Sequence, residues 1–213
     1  MLLHPGSCHR SAGFSLIEIL VAIVVLSFGL LGMVGLQAAA LQANRDARLQ
    51  STAGTLAREL AEMMRGNQDV AATAAASANP YLGEFTSSPL ALGSPEYCLS
   101  AGTACATGSE TSDADKKAMR QKIARAEMTE WLARVDAELP GARVSVCLDS
   151  APYDSAGLPQ WTCTAPATTS NAIAVVKIGW TRASTNRSAT GAAALDTATR
   201  PGIVFPVTPG TVL

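Results

Sequence analysis

One long apolar stretch dominates the first part of the chain. From Ile19 to Leu36 there are 18 consecutive residues without a charge, and only Ser27 among them is clearly polar. The uncharged stretch continues to Asn44, just before Arg45. About 20 residues of helix, at ~1.5 Å each, cross the hydrocarbon layer of a membrane. The pattern therefore predicts a membrane-spanning helix.

Two other interpretations of the apolar stretch are a buried core helix and an ordinary secretory signal peptide. A signal peptide has an apolar region of roughly 7–15 residues and a small-residue cleavage site. Ala38-Ala39-Ala40 is a candidate for such a site. However, the stretch is longer than a signal peptide requires, and the carboxylate of Glu18 stands at its start. We therefore favour a membrane anchor over both alternatives.

Apolar residues at helical spacing continue beyond the predicted span. The charged side chains fall mostly off this face, and the apolar positions are Leu49, Ala53, Leu56, Leu60 and Met63 or Met64. Gly66-Asn67 is a typical stop for a helix. One helix is therefore predicted over 14–65, with a membrane and assembly half at 14–36 and an extracytoplasmic half at 37–66.

The rest of the chain, 67–213, is predicted to be a globular head. A mostly irregular connection is expected from Asp69 to Asp115, and a second helix from Asp115 to Glu138. Strand patterns follow, at Arg143–Leu148, Ala172–Arg182 and Ile203–Val207. Because the strands follow the helices instead of alternating with them, the order favours an antiparallel sheet packed on the long helix, which is an α+β head.

Composition and charge argue against catalysis and nucleic-acid binding. Charged residues make up 15% of the chain and the formal net charge is −1, so there is no excess of positive charge to hold phosphates. Histidine occurs only at His4 and His9, and the sequence has no phosphate-binding glycine loop. We therefore expect no enzyme, no cofactor, no metal site and no nucleic-acid partner.

Four of the five cysteines follow the predicted span and indicate an oxidising compartment. They are Cys98, Cys105, Cys147 and Cys163, whereas Cys8 precedes the span. An even number of cysteines in an extracytoplasmic domain suggests two disulfides. Three pairings are open, and short closed loops favour Cys98–Cys105 together with Cys147–Cys163. The cysteines also place the head outside the cytoplasm, which the few charges that flank the span do not decide.

One carboxylate stands at the start of the apolar helix. Glu18 is the fifth residue counted from Phe14, where the polar stretch that ends at Gly13 gives way to apolar residues. An ionised carboxylate in hydrocarbon is costly unless it is paired, and the neighbouring sequence supplies no partner. A suitable partner is the α-amino group of another copy, freed by cleavage before Phe14. The alternative is that Glu18 extends to the lipid headgroups from the end of the span.

The sequence Gly13-Phe14-Ser15-Leu16-Ile17-Glu18 resembles the leader junction of type IV pilins and of type II secretion pseudopilins. This resemblance implies that residues 1–13 are a prepilin leader. It also implies that a membrane prepilin peptidase cuts after Gly13 and N-methylates Phe14, and that Glu18 guides the subunit into a growing filament. The pilin fold that it implies, a long N-terminal helix packed on an antiparallel sheet, agrees with an α+β head.

The segment from Val25 to Gln37 resembles the PilV group of minor pilins, which modify or prime a type IV pilus. Gly-Leu-Leu-Gly followed by Gly-Leu-Gln carries this likeness, and Gly29, Gly32 and Gly35 stand where many major pilins have a proline. These glycines suit either close helix packing or local unwinding in a filament. The resemblance implies a single-pass inner-membrane subunit with a periplasmic head that enters the pilus for adhesion or twitching motility. Its partners would be prepilin peptidase, other major and minor pilins, the inner-membrane assembly platform and membrane lipid.

Two other functions stay open on the sequence alone. A minor pseudopilin of a type II secretion system shares the leader junction and much of the following helix. An unrelated periplasmic binding protein with a signal anchor would share only the anchor. Genomic neighbours distinguish a pilus from a secretion filament, and N-terminal sequencing distinguishes both from an anchored binding protein.

Overall fold

Helices and strands both contribute to the fold of the described part of the chain. The computed structural model describes residues 14–99, 104–106, 108–167, 173–184, 186 and 188–208. The helices are α1 (Leu16–Gly66), α2 (Gln68–Ala71) and α3 (Asp113–Glu138), with a 3-10 helix at Gly191–Ala194. The strands are β1 (Gly83–Phe85), β2 (Arg143–Leu148), β3 (Ala174–Gly179), β4 (Thr181–Ala183), β5 (Leu195–Thr197) and β6 (Ile203–Val207). The protein is therefore α+β, as predicted.

The chain divides into two compact units, residues 1–45 and 46–213, and helix α1 contributes to both. In the first unit every described residue is exposed. Ser27, the clearly polar residue of the uncharged stretch, donates from Oγ to the carbonyl of Ile23 at 2.7 Å. This side chain is thus satisfied inside the helix, and the helix presents an apolar surface around it.

The core of the second unit lies where α1, α3 and a sheet meet. The buried face of α1 carries apolar side chains at spacings of one, three and four residues: Ala53, Leu56, Ala57, Leu60, Ala61 and Met64. Trp131 of α3 is fully buried, and its Nε1 donates to the carbonyl of Leu56 at 2.9 Å. Arg134 of α3 also pairs with Glu59 of α1 at 2.5 Å. Apolar burial is the main stabilising contribution at this contact.

Four of the described strands form an antiparallel sheet in the order β1-β2-β3-β6. Val146 of β2 pairs with Gly83 of β1 and with Val176 of β3, so β2 and β3 are the central strands. Their alternate residues Val144, Val146, Val176 and Ile178 belong to the core that includes the helices. A second sheet pairs β4 with β5.

The other face of the four-stranded sheet is covered by residues 149–164, which we call the cover loop. Ser145 and Lys177 are register partners on this face, and both are fully buried. Trp161 of the cover loop lies over Gly179, where a Cβ would come within 2.7 Å of the indole ring. The second unit therefore has three layers, which are helices, sheet and cover loop.

The long elements agree with the sequence predictions. The helix predicted over 14–65 is observed at Leu16–Gly66, and the helix predicted over 115–138 is observed at Asp113–Glu138. The strands predicted at Arg143–Leu148 and Ile203–Val207 have the same bounds as β2 and β6. Long periodic patterns are therefore reliable guides in this chain.

One prediction for the head needs correction, and a second is refined in detail. The strand predicted at Ala172–Arg182 is wrong as a single element, because the chain forms β3 and then β4 of the second sheet. The N–H of Thr181 donates to the carbonyl of Pro140 at 2.7 Å, which ties the start of β4 to the end of α3. Ala172 itself lies outside the described residues. The connection predicted as mostly irregular at Asp69–Asp115 is mostly irregular in its described residues, although it includes most of α2 and the three residues of β1, both too short to show a period.

Candidate assembly site at the start of the N-terminal helix

The candidate site begins with two residues that precede helix α1. Phe14 and Ser15 are not helical, and the carbonyl of Ser15 accepts hydrogen bonds from the N–H of Glu18 at 3.0 Å and of Ile19 at 3.3 Å. Glu18 therefore lies in the first turn of the helix. A carboxylate at this position interacts favourably with the positive end of the helix dipole. Gly13, the predicted cleavage residue, lies outside the described residues.

The side chains of the candidate site are open to the surroundings. Phe14 is 79% exposed, and Glu18 is exposed as well. Within the described part of the chain, Glu18 forms no salt bridge. A carboxylate among apolar side chains is stable in an apolar environment only with a cation beside it. Inside a membrane or a bundle of apolar helices, Glu18 would therefore need a positive group that the described part of the chain does not supply.

Helix α1 is the one helix among the described residues that is long and apolar enough to cross a membrane. None of its apolar window is buried within the protein. Large apolar side chains such as Leu20, Leu26 and Leu31 are more than half exposed. A continuous apolar surface of this size is unfavourable in water, so the helix fits a membrane-anchored protein.

Three glycines lie inside the apolar part of α1, at Gly29, Gly32 and Gly35. The helix continues through them, and a Cβ at any of the three positions would meet no atom within 4 Å. Glycine allows two helix backbones to approach closely, so this part of α1 is suited to contact with a neighbouring helix. In the single chain the segment is helical, and local unwinding stays a prediction about a filament.

Two disulfides join cysteines of the described head. Cys98 is joined to Cys105 with a Cα–Cα distance of 5.0 Å, and Cys147 to Cys163 with a Cα–Cα distance of 6.4 Å. Asp149 has a carboxylate oxygen within 4.8 Å of both sulfurs of the second disulfide. Bonded sulfurs are not thiolate ligands, so this group does not form a metal site in the oxidised protein. Peptide mapping of the purified protein is the direct test of the pairing.

A buried ion pair beneath the cover loop was not anticipated from the sequence. Lys177 Nζ lies 2.6 Å from Asp149 Oδ2, and both side chains are fully buried. Burial by itself raises the pKa of Asp149, but the adjacent ammonium of Lys177 and hydrogen bonds from the backbone N–H of Ala151 and Thr164 hold that pKa below its ordinary value. The only indication in the sequence was a lysine inside the apolar run Val175-Val176-Lys177-Ile178.

A second buried polar contact links the segment before β1 to α3. The hydroxyl of Tyr81, which is fully buried, donates to Glu127 Oε2. Burial raises the pKa of Glu127, although the hydrogen bond from Tyr81 acts in the opposite direction. Glu127 also lines an open cleft of ≈ 720 Å³, which is bordered by the ion pairs Glu62–Arg65 and Asp69–Arg120. No local sequence pattern predicts this contact, because Tyr81 and Glu127 are 46 positions apart.

The N-terminal segment is similar to a known family. Residues 8–34 match a family model described as the prokaryotic N-terminal methylation motif, and this segment contains Gly13, Phe14 and Glu18. The match indicates a prepilin-type N-terminus like that of type IV pilin-like and pseudopilin-like proteins, and such a leader motif implies processing by prepilin peptidase and assembly with other pilins in general. No curated protein and no solved structure matches the chain significantly.

Proposed function

We propose that the protein is a minor pilin of the PilV group. It is cleaved after Gly13, methylated at Phe14 and incorporated into a type IV pilus or into the complex that primes one. The observation that carries the proposal is the carboxylate of Glu18 at the exposed apolar start of α1, within the matched methylation motif. As a structural subunit the protein supports adhesion or twitching motility.

Cleavage before Phe14 creates the group that Glu18 needs. The new α-amino group carries a positive charge at neutral pH, and methylation retains that charge. In a filament the amine of one subunit pairs with Glu18 of another, and each charge removes the cost of placing the other among apolar helices. A subunit that keeps its leader has no free amine at Phe14, so processing controls entry into the filament.

The apolar surface of α1 has a role both before assembly, when the subunit is in the membrane, and after assembly, when it is in the filament. Before assembly, lipid covers this surface, and the subunit is a single-pass protein of the inner membrane with its head in the periplasm. In the filament, the helices of other major and minor pilins replace the lipid, and Gly29, Gly32 and Gly35 allow them to approach closely. The inner-membrane assembly platform mediates the exchange between the two environments.

A minor pseudopilin of a type II secretion system is the second candidate. The matched motif is confined to residues 8–34, which pilins and pseudopilins share, and the pairing of Glu18 with an amine is equally effective in a short periplasmic filament. A periplasmic binding protein with a signal anchor is a weaker candidate, since it gives Glu18 no partner.

Processing at the leader junction is the first test. Mass spectrometry of the protein extracted from membranes is expected to find an N-terminus at methylated Phe14. Replacing the small residue before the scissile bond, as in Gly13→Leu, should leave the leader attached, whereas Ala12→Ser as a matched control should be processed normally. An N-terminus after Ala40, or an intact leader on the wild-type protein, would refute the proposed maturation.

A deletion strain separates the two filament functions. Loss of surface pili or of twitching, with normal enzyme secretion, is the result expected for a minor pilin. Loss of secretion with normal pili would assign the protein to a type II secretion filament instead. Normal pili and normal secretion together would reject both filament functions and leave the anchored binding protein.

A further inference from the structure

The cover loop is held by one ion pair that reaches both of its ends. Asp149 begins the loop, and its Oδ1 accepts hydrogen bonds from the N–H of Ala151 at 2.9 Å and of Thr164 at 3.0 Å. Its Oδ2 lies 2.6 Å from Nζ of Lys177, which projects from the central strand β3. Lys177 also donates to the carbonyl of Thr162 at 2.8 Å. The two ends of the loop therefore meet at a single buried point.

Cys163 lies between two residues that this ion pair holds. Thr162 is bound through its carbonyl to Lys177, and Thr164 is bound through its N–H to Asp149. The backbone on both sides of Cys163 is therefore positioned by groups other than the disulfide. The ion pair therefore has the contacts that are needed to set the position of Cys163 over the sheet.

Cys147 lies on the same face of the sheet. It lies on β2 two residues after Ser145, and Ser145 is the register partner of Lys177. Alternate residues of a strand share a face, so Cys147 points towards the cover loop. Ser145 Oγ is 3.6 Å from Cys163 Sγ, so this sulfur lies against the same face of the sheet.

A buried ion pair of this kind favours one arrangement of the loop over others. Lys177 and Asp149 are both without solvent exposure. If the loop covered the sheet in a shifted position, the ammonium of Lys177 would be buried without a carboxylate beside it, which is strongly unfavourable. The pair therefore specifies where the loop sits, whatever its net contribution to stability.

We propose that the Lys177–Asp149 pair, and not the disulfide, fixes the position of the cover loop, and that it thereby directs Cys147 to join Cys163. The four head cysteines allow three pairings, and a seated loop selects one of them. In the oxidation step a small disulfide such as oxidised glutathione accepts two electrons. One S–S bond forms between the two cysteines, the S–S bond of the oxidant breaks, and the two thiol protons end on two molecules of reduced glutathione.

Removing the disulfide is the first test. The full chain carrying Cys147→Ser and Cys163→Ser is extracted in detergent, and amide hydrogen exchange is followed at Ser150 and Thr164. In the wild-type structure the N–H of Ser150 donates to the carbonyl of Thr164 at 2.9 Å. Protection within about threefold of wild type is expected if the ion pair holds the loop. Exchange at the rate of an unstructured peptide would overturn the proposal, because it would show that the disulfide holds the loop.

Removing the charges is the second test. Asp149→Asn with Lys177→Met retains an acceptor at the first position and an apolar chain of similar length at the second. Both are introduced with Cys8, Cys98 and Cys105 replaced by serine, and the protein is equilibrated with oxidised and reduced glutathione. The equilibrium constant for forming the Cys147–Cys163 disulfide should fall by about tenfold or more relative to the same cysteine background with Asp149 and Lys177 intact. A change of this size is typical for two coupled events.

The exposed pair Arg182–Asp196 provides a matched control, since it lies at 3.1 Å in the second sheet, outside the cover loop. Arg182→Met with Asp196→Asn removes the same charges and should leave the equilibrium constant unchanged. A constant that stays at the wild-type value in the Asp149 and Lys177 variant would overturn the proposal. If that variant does not fold, hydrogen exchange in the variant with Cys147→Ser and Cys163→Ser still decides, because that protein retains the native ion pair.

Discussion

Two carboxylates of this chain meet the same physical requirement in different ways. Asp149 is buried, and its cation, Lys177, is supplied at 2.6 Å by the same chain. Glu18 lies among exposed apolar side chains and has no salt bridge within the described residues. An ionised carboxylate in an apolar environment requires a cation. Asp149 therefore has its cation within the fold, whereas the partner we propose for Glu18 is the amine of a second subunit.

The first prediction at the scale of single residues concerns Glu18. Glu18→Ala and Glu18→Gln should leave leader cleavage and membrane insertion intact, and should lower incorporation into filaments by at least about tenfold, since one buried charge loses its partner. The ratio of protein in sheared filaments to protein in membranes measures this effect. Glu62→Gln, on the same helix but in the second unit, is the control. Wild-type ratios for both Glu18 variants would show that Glu18 only reaches the lipid headgroups.

The second residue-scale prediction concerns Glu127. Burial raises the pKa of Glu127 in the folded protein, so the fold favours its protonated form. The resulting stabilisation is fully present below the unfolded-state pKa of about 4.3 and is lost as the pH rises through the folded-state pKa. Glu127→Gln is neutral at every pH and retains a partner for the hydroxyl of Tyr81. The melting temperature of the variant minus that of wild type should therefore be larger at pH 7 than at pH 4.

The melting temperatures of the two proteins at pH 4 and pH 7 measure this difference. Glu130→Gln, a substitution of the same kind on the same helix, is the control and should show a smaller change with pH. A difference between wild type and Glu127→Gln that is constant across this range would mean that ionisation of Glu127 does not oppose folding. The nearby ion pairs Glu62–Arg65 and Asp69–Arg120 are retained in both variants.

At the scale of elements, helix α3 depends on a defined start. Ser112 Oγ accepts a hydrogen bond from the N–H of Asp115 at 3.1 Å, and Asp115 Oδ2 accepts one from the N–H of Ser112 at 3.3 Å. This reciprocal arrangement is a capping box, which satisfies two N–H groups that the helix itself leaves unpaired. The helix that carries Trp131 into the core therefore begins at a fixed position.

Ser112→Ala should lower the free energy of unfolding of the head by about 1 kcal/mol, the usual contribution of such a cap. Urea unfolding followed by tryptophan fluorescence measures it, since Trp131, Trp161 and Trp180 all lie in the head. Ser155→Ala, at an exposed position of the cover loop, should have little effect. Equal stability of Ser112→Ala and wild type would mean that water replaces the cap without loss.

The elements also show what a sequence can predict here. Helices α1 and α3 are long enough for their periodic patterns to be unambiguous, and the start of the candidate site is a contiguous motif around Glu18. Strand β1 has three residues, and its existence depends on pairing with β2, for example Gly83 with Val146. The Lys177–Asp149 contact likewise arises only after folding brings two separate segments together. Contacts of these two kinds leave no local pattern, so neither β1 nor the Lys177–Asp149 pair was predicted.

At the scale of the whole molecule, the protein consists of two units that differ in the surface they expose. The first unit exposes all of its described residues and holds the apolar part of α1. The second unit begins at Asp46 and contains every residue of the hydrophobic core. Since no described residue before position 46 belongs to this core, the second unit should fold without the apolar segment.

A fragment of residues 46–213, exported to the periplasm so that its disulfides form, should therefore be a soluble monomer. It retains the part of α1 that packs in the core, from Ala53 to Met64, together with the sheet and the cover loop. Loss of the apolar segment removes the surface that requires lipid or a neighbouring helix, so the fragment should need no detergent. Size-exclusion chromatography and a single cooperative melting transition test this, with the full chain in detergent as the reference. Aggregation of the fragment, or a broad transition without cooperativity, would show that the head requires residues 1–45 to fold.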